Sequence, residues 1–201
     1  MKKNKVQFLI ISIILLVGVV LIAPDNLIDQ QMMKQALNKE GISYSFFYYL
    51  TFLGSRIILI PFVIIGSVYL YFKTKKISYS LIFISGTLLS YVLNEFIKSI
   101  IKRDRPSIVE QVHAVGYSFP SGHAMISTVC YGIFTYFLLK TITKKKYKNL
   151  IVSLTGLLII LIGYSRLALN VHYLTDVIGG YLIGALFIIV YLEIGKRMIN
   201  N

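Results

Sequence analysis

Long apolar runs alternate with short polar segments along the whole chain. A helix needs about 20 mostly apolar residues to cross the roughly 30 Å of hydrocarbon in a bilayer, and six runs qualify. The pattern therefore predicts an all-α fold, a bundle of six transmembrane helices. The predicted spans are Val6–Ala23, Phe46–Phe72, Tyr79–Ile101, Ser121–Leu139, Leu150–Leu169 and Val177–Ile194.

Composition excludes an ordinary soluble domain. Of 201 residues, 56% are hydrophobic and 14% are charged, and the mean hydropathy is +0.73. Soluble domains carry about 45–50% apolar and about 25% charged residues. No polar linker divides the chain, so one membrane domain is expected over residues 1–201. The single cysteine, Cys130, excludes an internal disulfide, and no Cys/His cluster has metal-ligand spacing, so neither a metal nor another cofactor is predicted.

The basic residues follow the distribution that membrane topology requires. The net charge is +13, but the positive charges form clusters between apolar runs, which argues against nucleic-acid binding. With six spans both termini lie on one side, and that side receives 13 of the 21 Lys and Arg residues. Because cytoplasmic loops carry the excess of these residues, both termini are predicted to be cytoplasmic. Three lysines precede the first apolar run, as they would in a signal peptide. The run lacks a clear cleavage site, so we interpret it as a retained helix.

The segment Pro24–Tyr49, between the first two spans, has two interpretations. Apolar residues recur there at roughly helical spacing among polar ones, which predicts a short amphipathic helix on the outer surface. A solvated loop is the alternative. The apolar positions are Leu27, Ile28, Met32, Ala36 and Leu37.

Two cations near the outer end of the third span form a candidate anion site. Lys98 and Arg105 are seven residues apart, two helical turns, which predicts that they point to one side of a helix. Pro106 predicts that the helix ends at about Arg105. The pair suits a phosphate, the arginine through its planar fork of donors and the lysine as a point charge.

Other charged groups on the outer side have simpler interpretations. Glu95, three residues before Lys98, is expected to pair with it across one helical turn. His113 lies in a loop and is interpreted as solvated. Three further cations are expected to extend to the lipid head groups: Arg56, Lys102 and Arg103.

A histidine lies at the predicted start of the fourth span. Pro120, Ser121 and Gly122 precede His123 and form a helix-start signature. The free amides of a first helical turn form an anion site, and glycine lets the backbone approach the anion closely. The serine hydroxyl and the imidazole add a donor and an acid beside that site.

A second histidine lies between the fifth and sixth spans. His172 and Asp176 are four residues apart, so they face each other if the histidine begins the helix. A carboxylate on one imidazole nitrogen fixes the tautomer and leaves the other nitrogen free to attack. Arg166 supplies a third cation on this side.

In combination these motifs resemble the type 2 phosphatidic acid phosphatase family, which shares its active site with vanadium haloperoxidases. The family pattern is Lys-x6-Arg-Pro, then Pro-Ser-Gly-His, then Ser-Arg-x5-His-x3-Asp. The resemblance covers about residue 51 to the C-terminus, with the motif-bearing part at about 51–197. The pattern is matched in full, in order, by Lys98, Arg105, Pro106, Pro120, Ser121, Gly122, His123, Ser165, Arg166, His172 and Asp176.

The resemblance implies a lipid phosphatase that works through a phosphohistidine. His172 is expected to be the nucleophile, Asp176 to orient it, and His123 to be the general acid. No metal is expected, because fixed cations and donors would hold the phosphate. The expected phosphate-binding residues are Lys98, Arg105, Ser121, Gly122 and Arg166.

The expected substrate is a phospholipid or polyprenyl diphosphate in the bilayer, with the active site facing outside. The candidates are undecaprenyl diphosphate, phosphatidylglycerophosphate and phosphatidic acid; the motif residues do not rank them, because all three carry the same phosphate. Two alternatives are a lipid phosphotransferase with the same nucleophile and a non-catalytic transporter or scaffold. A haloperoxidase would require a soluble chain and vanadate. Neither the sequence nor the resemblance indicates an oligomeric state.

Overall fold

The computed structural model describes residues 42–106 and 116–200, together with six single positions nearer the N-terminus: Gln7, Ile10, Ile11, Ile14, Gly18 and Asp29. The described residues form helices joined by short connections and contain no strand. The helices are α1 Ile42–Thr51, α2 Arg56–Thr74, α3 Ile77–Ile101, α4 Gly122–Leu139, α5 Lys145–Ala168 and α6 Leu174–Asn200, with a 3-10 turn at Phe52–Gly54.

Five of these helices, α2 to α6, are long and apolar enough to cross a membrane. The all-α fold is confirmed for the described residues, and α3 to α6 match the predicted third to sixth spans closely. The first predicted span and the outer amphipathic helix lie outside the described residues, apart from the single positions. The loop containing His113 lies outside them too. These expectations stay predictions.

The second predicted span, Phe46–Phe72, is wrong as a single helix. The chain leaves helical geometry at Ser55, which is extended with φ −86° and ψ 158°, and α2 begins at the next residue. Gly54 explains the break, because a Cβ there would lie 2.5 Å from Ile162 Cγ2 and 3.0 Å from His123 Cδ2. Apolar residues continue through the break, so the hydrophobic pattern does not register it. The break brings the backbone of Gly54 against one of the candidate histidines.

Helix α4 is the centre of the bundle and contacts α2, α3, α5 and α6. Its inward face is fully buried at Val129, Ile133 and Phe137. Helix α6 approaches it closely at Gly180, where a Cβ would lie 2.9 Å from the backbone oxygen of Ser121. Small residues at such contacts let membrane helices pack backbone to backbone. The tight α4–α6 contact fixes His123 relative to the start of α6.

The outer faces of the helices are covered with large exposed aliphatic side chains, most densely on α2 and α3. Soluble proteins rarely expose continuous apolar patches beyond a few hundred Å². A lipid bilayer satisfies such a surface, so the described helices belong to a multi-pass membrane protein. The exposed aliphatic residues of α2 and α3 include Ile57, Ile60, Ile64, Ile65, Val68, Leu81, Leu88 and Val92.

Candidate active site

A polar cavity of about 430 Å³ lies where α2 and α4 begin, where α3 and α5 end, and where the chain enters α6. Six of the eight predicted site residues line it, although they come from distant parts of the chain. Asp176 and Ser121 lie behind the wall and are fully buried. The cavity-lining members of the predicted set are Lys98, Arg105, Gly122, His123, Arg166 and His172.

The contacts of His172 define its tautomer. Its Nδ1 lies 3.3 Å from Asp176 Oδ2, and its Nε2 lies 3.1 Å from Arg105 Nη1. Because a guanidinium only donates, Nε2 must accept, and Nδ1 therefore carries the proton and donates to the carboxylate. The backbone amide of Tyr173 also donates to Asp176 Oδ2, at 2.9 Å. The lone pair of Nε2 therefore accepts from Arg105, and both side chains line the cavity.

The location of His172 differs from the prediction in one detail. Helix α6 begins at Leu174, so the histidine precedes the helix and does not start it. The pair with Asp176 still forms, because the carboxylate lies in the first turn and accepts from the chain that enters the helix. A short connection therefore presents the imidazole to the cavity.

Burial and nearby positive charge lower the pKa of His172 well below 6.5. Removal from water contributes most, followed by the charges of Arg166 and Arg105. Both effects disfavour the imidazolium. The imidazole is therefore neutral at pH 7, the form that a nucleophile requires.

We predict that the acid limb of kcat/KM lies below pH 6.5. The neutral imidazole is the active form, so a lowered pKa of His172 means that protonation and loss of activity begin only in more acidic solution. The measurement is kcat/KM for a lipid phosphate across the acidic range. The exposed Lys102 provides a control, since Lys102→Gln should leave the pH of the acid limb unchanged. A limb at or above pH 6.5 would contradict the prediction.

Arg105 reaches the cavity from a loop and not from a helix. The prediction of a shared helix face with Lys98 is wrong, because α3 ends at Ile101 and Lys102 adopts a left-handed conformation with φ 50°. Backbone carbonyls hold the guanidinium instead, with Nε donating to Gly116 O at 2.7 Å and Nη1 to Val171 O at 3.0 Å. The arginine is thus fixed beside Nε2 of His172.

Lys98 also lines the cavity, from the last turn of α3. Its Nζ lies 3.2 Å from Glu95 Oε1, so the predicted pairing across one helical turn is confirmed. The carboxylate is half exposed, so the contact is screened and weak. A more highly charged anion in the cavity would compete for this ammonium.

Arg166 is a buried cation without a carboxylate partner among the described residues. Its side chain is almost fully enclosed, Nη1 donates to Thr51 Oγ1 at 2.7 Å, and Nε is buried with no hydrogen-bond partner in the part of the chain that the structure describes. An uncompensated buried charge costs several kcal/mol, so proteins retain it where something else supplies the opposite charge. An anion in the cavity would complete this site.

The start of α4 contributes backbone amides to the same place. Gly122 opens the helix and lines the cavity, and a Cβ on it would lie 3.1 Å from Asn94 Oδ1. Ser121 binds the start of α6 through its backbone, its amide donating to Asp176 O at 3.0 Å. Its hydroxyl is buried without a hydrogen-bond partner in the described part of the chain. The predicted phosphate contact of Ser121 stays a prediction.

Two residues of the site were missed or misinterpreted from the sequence. Asn94 lines the cavity and donates to Pro120 O at 3.3 Å; a polar residue inside an apolar helix was the available signal. Arg103 was interpreted as extending to the lipid head groups, which is wrong. Its guanidinium forms buried ion pairs with Asp176 and Asp29, at 2.8 Å each. The separation of residues 29 and 103 along the chain does not predict this contact.

An apolar cavity of about 420 Å³ adjoins the polar one. It lies between α2 and α3 and is lined by aliphatic side chains such as Leu59, Ile64 and Leu88. The two cavities meet at four residues that line both of them: Gly54, Arg56, Tyr91 and Ile126. Arg56 lies over the Tyr91 ring, 4.7 Å from its centroid, at this junction. A molecule with a charged head and an apolar tail would fit across it.

Fold and site together define a multi-pass membrane protein with a polar cavity that is lined by cations and two histidines. Residues 79–198 match the family model described as the PAP2 superfamily. The match covers more than half of the chain, and the chain belongs to the PAP2 superfamily. It is a membrane phosphatase of the lipid-phosphate class, as the resemblance implied.

Two curated proteins are similar in sequence. Phosphatidylglycerophosphatase B of Bacillus subtilis is 35% identical over 139 residues, which cover 68% of each protein. Dolichyldiphosphatase of Saccharomyces cerevisiae is 31% identical over 155 residues, which cover 72% of this chain and 64% of the yeast protein.

Two crystal structures are similar in fold. A transmembrane PAP2 type phosphatidylglycerolphosphate phosphatase from Bacillus subtilis has a TM-score of 0.85 and is 27% identical, with 96% of each chain covered. LpxE of Aquifex aeolicus has a TM-score of 0.62 and is 25% identical, with 82% of this chain and 92% of that chain covered.

Proposed function

We propose that this phosphatase hydrolyses the terminal phosphate of a membrane lipid through a phosphohistidine on His172. The observation that carries the proposal is the junction of the two cavities. Four cations, Arg56 among them, and two imidazoles line the polar one, and the apolar one adjoins it between two lipid-facing helices. A lipid phosphate matches both parts at once, whereas a water-soluble phosphate ester would leave the apolar part empty.

The geometry supports a two-step mechanism. In the first step His172 Nε2 attacks phosphorus, and the bond from phosphorus to the leaving oxygen breaks as His123 gives that oxygen a proton. In the second step a water attacks the phosphohistidine, its proton passes to His123, and the nitrogen–phosphorus bond breaks. Asp176 stabilises the positive charge that develops on the attacking imidazole. Each step transfers one phosphoryl group and one proton.

The cations would stabilise the charge on the phosphoryl oxygens. Phosphoryl transfer depends on positioning and charge stabilisation more than on covalent chemistry. Lys98, Arg105 and Arg166 converge on one cavity, and Gly122 adds the first amides of α4. Within residues 42–106 and 116–200, no group of three His, Cys, Asp or Glu side chains is arranged to hold a metal ion. We propose that these fixed positive groups take the part that metal ions have in other phosphatases.

We propose that the site faces the outside of the cell membrane. The loops after α2 and α4, at residues 73–76 and 140–148, are rich in lysine and lie at the helix ends away from the cavity. Cytoplasmic loops carry such an excess of positive charge. The cavity then opens at the outer leaflet, and both termini are cytoplasmic.

Phosphatidylglycerophosphate is the first candidate substrate, because a curated relative and a structural neighbour carry its phosphatase in their names. The yeast relative, named for a polyprenyl diphosphate, supports undecaprenyl diphosphate as the second. Phosphatidic acid, the simplest lipid with a terminal phosphate, is the third. All three carry a phosphomonoester or diphosphate on an apolar lipid.

A panel of lipids tests the proposal. The purified protein in detergent, with a chelator present, is given each lipid with water as the sole acceptor, and released phosphate is measured. We expect phosphate release with chelator, and faster release from the lipids than from a soluble phosphomonoester such as glycerol phosphate. A strict phosphotransferase would release no free phosphate with water as the sole acceptor, and would form a new phosphate ester only when an acceptor alcohol is added. Equal rates on lipid and soluble esters would contradict the proposed use of the apolar cavity.

A further inference from the structure

A chain of buried charge lies behind the His172–Asp176 pair, outside the cavity. Arg103 Nη1 lies 2.8 Å from Asp176 Oδ1, and Arg103 Nη2 lies 2.8 Å from Asp29 Oδ2. The exposed fractions of these side chains are 9% for the arginine, 2% for Asp29 and 0% for Asp176. The other oxygen of Asp176 faces His172 Nδ1. Four ionisable groups are therefore connected in one line that ends at the proposed nucleophile.

Arg103 is directed away from the site of the phosphate. It is absent from the residues that line the polar cavity, and its guanidinium lies over the Tyr173 ring, 4.2 Å from the centroid. Its remaining hydrogen bond goes to Thr175 Oγ1, at 2.6 Å. Its side chain thus contacts the carboxylate and the residues around the start of α6. A role in holding the carboxylate follows from these contacts, and a role in binding phosphate does not.

Asp29 fixes the arginine and the helix start together. Its Oδ1 accepts from the Thr175 amide at 3.1 Å, and its Oδ2 accepts from Thr175 Oγ1 at 2.7 Å as well as from Arg103. A carboxylate is favourable at this place, because the first amides of a helix are unsatisfied and carry partial positive charge. Asp29 belongs to the segment between the first predicted span and α1. A residue outside every motif thus completes the support of the motif carboxylate.

We propose that Arg103 is a positioning residue for the phosphatase reaction, holding Asp176 in line with His172, and that Asp29 fixes Arg103 in turn. The inference rests on the proposed function, because it takes His172 as the nucleophile. The guanidinium binds one oxygen of Asp176 and leaves the other for the imidazole, which fixes the plane of the carboxylate. Without the arginine, two buried carboxylates would share a site without their counter-charge.

A double-mutant cycle tests the inference. Arg103→Gln should lower kcat about 10²-fold, since small misplacements of reacting groups cost about that much, and should leave KM unchanged, because the residue does not contact the substrate. Asp176→Asn should lower kcat further. If the arginine acts through the carboxylate, the double variant is no slower than Asp176→Asn alone. Residual rates are measured as phosphate release from radiolabelled lipid.

Conservative variants complete the design. Arg103→Lys keeps the charge and should recover part of kcat, and Asp29→Asn should lower kcat by less than Arg103→Gln. Lys102→Gln removes a neighbouring exposed cation and is the matched control, with kcat expected to stay at the wild-type value. Size-exclusion profiles and melting curves in detergent establish folding for each variant. Should Arg103→Gln fail to fold, Arg103→Lys and Asp29→Asn are placed in the same cycle with Asp176→Asn.

Three outcomes would overturn the inference: an unchanged kcat in Arg103→Gln, a raised KM with kcat retained, or a double variant slowed by the full product of the two single effects. Failure of the proposed function has a different signature. Wild-type kcat in Asp176→Asn would show that the carboxylate does not serve the reaction, whatever Arg103 does. A wild-type protein that releases no phosphate from any lipid would refute the proposed function itself.

Discussion

Replacing His172 by alanine is expected to abolish phosphate release from every lipid in the panel. Loss of a nucleophile removes the covalent path altogether, and comparable losses in other enzymes reach at least about 10⁴-fold. The imidazole lines the cavity, its Nε2 is the unprotonated nitrogen, and its Nδ1 is held by a carboxylate. The cations would still bind the phosphate, so the variant should retain substrate binding while losing turnover.

The measurement combines steady-state release with trapping of the intermediate. Wild-type protein mixed with radiolabelled lipid and quenched in alkali should carry label as phosphohistidine, and His172→Ala should carry none. His123→Ala is an informative comparison, because a leaving group of low basicity needs no proton. A lipid analogue with such a leaving group should restore labelling in His123→Ala but not in His172→Ala. Label persisting in His172→Ala would refute the assignment of the nucleophile.

Replacing Arg166 by methionine is expected to lower kcat about 10³-fold and, at the same time, to stabilise the empty protein. One donor to a developing oxyanion is worth about 10²–10³ in rate, and arginines in phosphoryl transfer about 10³–10⁵. The opposite effect on stability arises because Arg166 is buried and has no carboxylate partner among the described residues. Apolar replacements of such buried charges are often neutral or stabilising.

Two melting curves measure the stability effect. In detergent without ligand, Arg166→Met should melt at or above the wild-type temperature. Added inorganic phosphate should raise the melting temperature of the wild type by mass action and that of the variant much less. Lys102→Gln serves as the control for removal of an outer cation and should respond to phosphate as the wild type does. A variant that melts well below the wild type, or that retains wild-type kcat, would contradict the prediction.

The spans and the motif residues could be predicted from the sequence because both depend on local patterns. A continuous apolar run of the right length has few stable forms in a bilayer other than a helix, so α3 to α6 were predictable. The His172–Asp176 contact follows from a spacing of four residues. The Glu95–Lys98 pair follows from a spacing of three.

The break at Ser55 and the loop location of Arg105 depend on contacts that no local pattern records. Phe46–Phe72 is uniformly apolar, yet the chain breaks where Gly54 must approach Ile162, more than one hundred residues away. Arg105 enters the cavity because carbonyls of two distant segments hold its guanidinium. The spacing from Lys98 led to the correct prediction that both cations belong to one site. The shared helix face on which that prediction was based does not exist, because α3 ends at Ile101.

From the sequence by itself one could predict a helical membrane protein, the residues proposed to carry its chemistry, and the family that the family model confirms. These predictions depend on apolar runs and motif spacings shorter than about 25 residues, the length of one span. The tertiary structure alone decided that Arg103 supports the carboxylate of Asp176 and that Asp29 completes that support. A buried charge must find its partner within about 4 Å in space, at whatever separation along the chain, and only the packed helices set which groups meet.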